Sequence, residues 1–130
     1  MKRKVYSAEG AVAAGPYSHG VVGEDFLFLS GQTSLDVATG KLAEGGIAEQ
    51  TRKCFENLFA VLSVAGLKPS NVVKVQVFLT DIEDFAAMNE VYAEQFKAPY
   101  PARTTLGVAA LPLGASIEIE MIAKRKKTKK

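Results

Sequence analysis

The sequence predicts an α+β fold: one mixed sheet with two helices packed on a single face. Three observations carry this expectation. Residues 47–65 repeat apolar side chains at helical spacing, residues 72–79 and 116–123 alternate with period two, and the order along the chain is strands, helix, strand, helix, strands. A chain of 130 residues suits one domain, expected to span 1–130 with a core over about 4–124 and a basic tail from 124 to 130.

Taken in order, Lys4-Val5-Tyr6 reads as a short strand, followed by a small-residue loop over residues 8–16. Val21-Val22 and Phe26-Leu27-Phe28-Leu29 read as two strands joined by a tight turn at Gly23-Glu24-Asp25. Ser30-Gly31-Gln32 is expected to leave the strand, and residues 36–40 to turn again. Ile47, Cys54, Phe55, Leu58, Phe59, Leu62 and Ala65 give the first helix one buried stripe. Gly66 stands where a left-handed cap ends helices, and Pro69 prevents resumption. Cys54 on that stripe reads as a small core residue, not a nucleophile. Residues 72–79 form a strand with Val73, Val75, Val77 and Leu79 on one side. A second helix starts near Asp81, whose carboxylate can cap its first turn. Phe85, Met88, Tyr92 and Phe96 supply its buried face, and Pro99 ends it. Residues 103–108 and 116–123 close the chain as strands.

The bulk numbers exclude several classes. A lone cysteine cannot form an intrachain disulfide, and one histidine with one cysteine offers no metal-site spacing. No apolar run approaches the ~20 residues of a membrane span, and the basic start Met1-Lys2-Arg3-Lys4 lacks a following signal-type segment, so a soluble cytoplasmic protein is expected. The net charge of +2 hides a segregation. Residues 5–123 hold seven basic against fourteen acidic side chains, a body of −7 with basic ends. A nucleic-acid surface spreads its basic residues over one face of the fold, so the tail reads as solubilising.

Alternation also sorts the faces of the sheet. Ile117, Ile119 and Met121 oppose Glu118, Glu120 and Ile122, while Val73, Val75, Val77 and Leu79 oppose Lys74, Gln76 and Phe78. Both helices are needed on the aliphatic face. The mixed face then has no cover from its own chain, which makes it an expected surface for homo-oligomer assembly; a solvated face is the plainer alternative.

Four places hold polar residues that a core does not require. Gly15-Pro16-Tyr17-Ser18-His19-Gly20 is a turn-rich loop with a phenol, a hydroxyl and the only imidazole. Ser30-Gly31 offers a close approach to backbone. Pro101-Ala102-Arg103-Thr104-Thr105 sets an arginine and two hydroxyls at a strand start, and Glu120 projects from the mixed face. Each has a bland reading: Arg103 paired with a carboxylate such as Glu120, a surface histidine, solvated strand glutamates.

Together, Gly15-Pro16-Tyr17-Ser18, Ser30-Gly31-Gln32, Pro101-Ala102-Arg103 and Ile117-Glu118-Ile119-Glu120 resemble the motif blocks of the RidA family, also called YjgF or L-PSP, over about residues 4–124. Ala65-Gly66-Leu67 and the stretch from Val77 to Asn89 fit the same template. The resemblance implies a homotrimer of chorismate-mutase-like subunits with sites between neighbours. It also implies a hydrolase, an imine deaminase converting 2-aminoacrylate-type enamines and imines such as 2-iminobutanoate and 2-iminopropanoate to 2-keto acids and ammonia. No metal or organic cofactor is implied. Arg103 would grip the substrate carboxylate, and Glu120 would orient or deprotonate water and return a proton to the leaving nitrogen. Tyr17 would wall the pocket. Ser30, Gly31 and Thr105 would contact substrate, and Asn89 would line or support the cleft. The chain departs from many relatives at Thr105, where they have cysteine, at Gly107, where they have glutamate, and at His19, where they have glutamine. Thr105 excludes a thiol mechanism there; His19 either alters substrate preference or, as the favoured expectation, changes nothing.

Two rival functions stand beside this one. An L-PSP-type endoribonuclease or translation inhibitor would favour paired acid–base groups and a basic groove, against an acidic body with one histidine. A non-enzymatic module binding small carboxylates would need Arg103 but have little use for Glu120.

Overall fold

The computed structural model describes residues 2–8, 13 and 15–126. Most of the loop expected over residues 8–16, and the tail beyond Lys126, lie outside the described residues. The main sheet has six strands: β1 (Val5–Tyr6), β2 (Gly20–Gly23), β3 (Phe26–Gln32), β6 (Val72–Leu79), β7 (Ala102–Gly107) and β8 (Ile117–Lys124). Two short strands, β4 (Leu35–Asp36) and β5 (Lys41–Leu42), form a separate hairpin around the expected turn. Helix α1 covers Ile47–Val64 and α2 covers Phe85–Gln95.

Strand order is β1-β2-β3-β8-β6-β7, with β6 and β7 parallel and the other neighbours antiparallel. The parallel pair is the one joined through a helix, as a crossover connection requires. The mixed sheet with two helices on one face is therefore the observed architecture.

The core lies between that face and the helices. Val75, Val77 and Leu79 of β6 and Ile117, Ile119, Met121 and Ala123 of β8 are buried against Cys54, Phe55, Leu58 and Leu62 of α1 and Met88 of α2. Phe55, Tyr92 and Phe96 meet at ring-centroid distances of 5.3–5.7 Å, which joins α1 to α2. Gly66 closes α1 at φ +75°, where a Cβ would be strained. Cys54 is fully buried, burial pushes its thiol up, and its sulfur faces the Ile117 carbonyl at 3.9 Å.

Four local expectations need correction. Strand β3 does not stop at Leu29; it runs to Gln32 with a bulge against β8 between Leu29 and Gln32. Val73 does not face the core, because a register shift between Val72 and Lys74 buries Val72 instead and leaves Val73 exposed. Asp81 caps a short 3₁₀ turn over Ile82–Asp84, accepting from the Glu83 amide at 3.0 Å, and α2 begins only at Phe85. Met88, Val91 and Tyr92 are buried, while Phe85, at the first position of the helix, is exposed.

The other face of the sheet carries Phe28, Lys74, Gln76, Phe78, Glu120 and Ile122, and neither helix covers it. Phe28 is 48% exposed there.

Candidate active site

The residues singled out in the sequence fall into three groups. The first gathers at the bulged end of β3. A cavity of about 430 Å³ is lined there by Tyr17, His19, Gly31, Gln32, Asn57 and Glu118, among others. The Ser30 amide donates to the His19 carbonyl at 2.9 Å and the Ser30 hydroxyl to the Ser18 carbonyl at 2.6 Å, which ties the Tyr17–His19 loop to the strand. The Ser30 hydroxyl thus spends its hydrogen on the scaffold. Gly31 leaves room for the Glu118 carboxylate, which a Cβ there would displace. Burial pushes the Glu118 carboxyl above its ordinary range, and the charge of Glu120 on the same strand adds to the rise.

The second group surrounds Arg103. Parallel pairing sets Arg103 beside Val75 and Thr105 beside Val77, so both project toward the helix side of the sheet. Arg103 donates from Nη1 to Asn89 Oδ1 at 2.7 Å. Its guanidinium carbon lies 4.6 Å from the centroid of the Tyr92 ring and 5.5 Å from that of Phe85. The exposed Phe85 therefore has a place beside Arg103 rather than in the core. Among the described residues the ion pairs are Arg52–Glu94 and Lys53–Glu56, and Arg103 has no carboxylate partner. Tyr92 and Thr105 each enclose a hydroxyl oxygen with no hydrogen-bond partner among the described residues. Burial pushes the Tyr92 phenol up, opposed by the positive charge of Arg103. Asn89, Tyr92, Tyr100, Pro101 and Arg103 border an open hollow of about 550 Å³.

Glu120 stands apart from both. It pairs with Gln76 and lines a hollow on the uncovered sheet face with Phe28, Lys74 and Ile122. Arg103 projects from the opposite face, so the two do not form the ion pair that was the bland reading of Arg103. The carboxylate that meets Tyr17 and Gly31 is Glu118. Alternation puts Glu118 and Glu120 on one face and gives no means of choosing between them; the Ser30-Gly31 bulge, which receives Glu118, is what separates them.

The first two groups do not meet in one chain. Gly31 and Arg103 sit on strands three places apart, about 14 Å at ordinary strand spacing. Arg103 has a free charge and no acid, while the cavity has an acid and, in Lys53, a cation already paired with Glu56 at 3.1 Å.

Comparison with known proteins gives one consistent answer. The family model described as Endoribonuclease L-PSP matches residues 8–125. A human 2-iminobutanoate/2-iminopropanoate deaminase is 42% identical over 123 residues, covering 95% of this chain and 90% of the relative. A RutC family protein of Pyrococcus horikoshii is 44% identical over 123 residues, covering 95% and 98%. Among solved structures, E. coli TdcF with bound serine superposes with a TM-score of 0.89 at 38% identity, covering 95% of this chain and 99% of that one. With its motifs, fold and relatives in agreement, the chain belongs to the RidA family, the group that the L-PSP family model describes.

Proposed function

We propose that the protein hydrolyses small 2-imino and 2-enamino acids to 2-keto acids and ammonia, at sites each built from two copies of the chain. The observation that carries this reading is Arg103: an oriented guanidinium, bonded to Asn89 and stacked on Tyr92, with no anion of its own among the described residues. Such a fork suits a planar carboxylate. The identity to relatives named as imine deaminases supports the substrate class, as does the serine bound to TdcF, which has the carbon skeleton of 2-aminoacrylate.

The Arg103 edge of one copy would face the Tyr17–Gly31–Glu118 cavity of a neighbour, and closing that arrangement by symmetry gives a ring, for which we propose a trimer. The uncovered sheet face, with Phe28 and Phe78 among charges, would be buried in the assembly. Arg103 holds the carboxylate, leaving the adjacent carbon over Glu118. As water adds to the imine carbon, the C–O bond forms and Glu118 takes the proton. That proton passes to the nitrogen, whose lone pair came from the C=N bond, and leaves a carbinolamine. Its hydroxyl proton then passes through Glu118 to the same nitrogen as the C=O bond forms and the C–N bond breaks, so ammonia leaves with the keto acid behind. A carboxyl pushed up by burial serves both halves of this exchange. We assign the acid–base role to Glu118 rather than Glu120, on its place beside Gly31 and Tyr17.

The test is to generate 2-aminoacrylate in situ with a pyridoxal-phosphate-dependent serine or threonine dehydratase and time keto-acid release. Acceleration by this protein that vanishes with Arg103→Ala is expected. No acceleration from folded, assembled protein sinks the proposal.

A further inference from the structure

One buried polar group in the cavity is not used by the reaction just described. His19 is only 6% exposed, its ring meets Tyr17 edge-on at 6.3 Å between centroids, and its backbone carbonyl is fixed by the Ser30 amide at 2.9 Å. Its Nδ1 is enclosed with no hydrogen-bond partner among the described residues. His19 lines the same cavity as Glu118, and with Nδ1 enclosed, Nε2 is the ring nitrogen that can serve that space.

The uncharged ring carries one N–H and one bare nitrogen. An enclosed N–H without an acceptor is rarer than an enclosed acceptor without a donor. The hydrogen therefore belongs on Nε2, where it points into the cavity. We infer that His19 is a positioning residue for the attacking water: its Nε2–H donates to one lone pair of the water oxygen while Glu118 accepts one of the water's hydrogens. The second lone pair is then directed at the imine carbon. This rests on the deaminase reading and adds to it a second fixed contact on the nucleophile. It also explains why a polar ring is kept in a nearly closed place where its Nδ1 gains nothing.

The experiment compares His19→Leu and His19→Gln with the parent in the in-situ imine assay, reading kcat and KM separately and adding a thermal melt. Glutamine keeps an N–H at similar reach; leucine removes both nitrogens at similar volume. His19→Leu should lower kcat about three- to tenfold, the worth of one neutral hydrogen bond, with KM unchanged because Arg103 holds the substrate. His19→Gln should keep kcat within about twofold of the parent. The melting temperature of His19→Leu should equal or exceed the parent's, since an unpartnered buried nitrogen is gone. If the leucine variant does not assemble, His19→Ala takes its place in the same comparison. Full activity of the leucine variant overturns the inference, as does equal loss in both variants or a loss confined to KM. An inactive parent instead overturns the deaminase reading on which it rests.

Discussion

The Arg103 group and the Glu118 group are built by opposite means. Arg103 is anchored by side chains on one helix: Asn89 takes its hydrogen bond, and Tyr92 and Phe85 supply the ring faces. Glu118 is placed by backbone: a bulge at Ser30-Gly31, a glycine that leaves room for it, and a loop tied to the strand through Ser30. One group has charge without an acid and the other an acid without a free cation. In the proposed assembly each supplies what the other lacks, so damage to the two should read out differently.

The largest effect should come from the acid. Glu118→Gln is expected to lower kcat by about 10²–10⁴, the range for losing a general base, whereas Glu120→Gln should stay within about threefold; steady-state rates on in-situ imine decide between the two glutamates. Next, Arg103→Ala should lower kcat/KM by about 10²–10³, the worth of two charge-assisted hydrogen bonds, and should raise KM where Glu118→Gln does not. A sharper test of the two-copy site mixes these variants. Unfolded together and reassembled at equal amounts, Arg103→Ala and Glu118→Gln should recover roughly a quarter of parental activity, because each interface has that chance of drawing both intact halves. A site made within one chain would recover nothing.

The pH dependence gives a smaller effect. Since burial and Glu120 raise the Glu118 carboxyl, the activity that depends on its ionised form should fall away on the acid side at a pH above the ordinary carboxylate range. Glu118→Gln should lack that limb in its residual rate. The stability sign is the reverse of a salt-bridged acid. A raised carboxyl favours the folded state while it is protonated, and that contribution is lost as pH rises through its folded value. Glu118→Gln should therefore melt slightly higher than the parent near neutral pH, with the gain disappearing in acid. On the core side of β8, Cys54→Ala should leave kcat unchanged and cost stability by about 1–2 kcal/mol, checked by denaturant unfolding.

The relation between sequence and structure follows the same division. Period and spacing determined the helices, the strands over residues 72–79 and 116–123, the covered and uncovered sheet faces, and Cys54 as core, because these depend on repeats local to each element. Local pattern failed where the register slips. It put Val73 inside, ended β3 at Leu29 and buried Phe85, since a bulge or a turn of 3₁₀ helix displaces the side chain beside it without a distinct residue to announce it. The family resemblance offered Tyr17, Ser30, Gly31, Asn89, Arg103, Thr105 and Glu120 as site candidates, but only as members of one set. Tertiary structure alone decided that Arg103 and Glu120 face opposite ways, that Glu118 is the acid beside Gly31, and that Gly31 and Arg103 stand on strands three places apart. Those outcomes depend on which strands pair, in what register, and across how many neighbours. Pairing joins residues far apart in the chain, whereas side-chain periodicity records only which face of its own strand or helix a residue occupies.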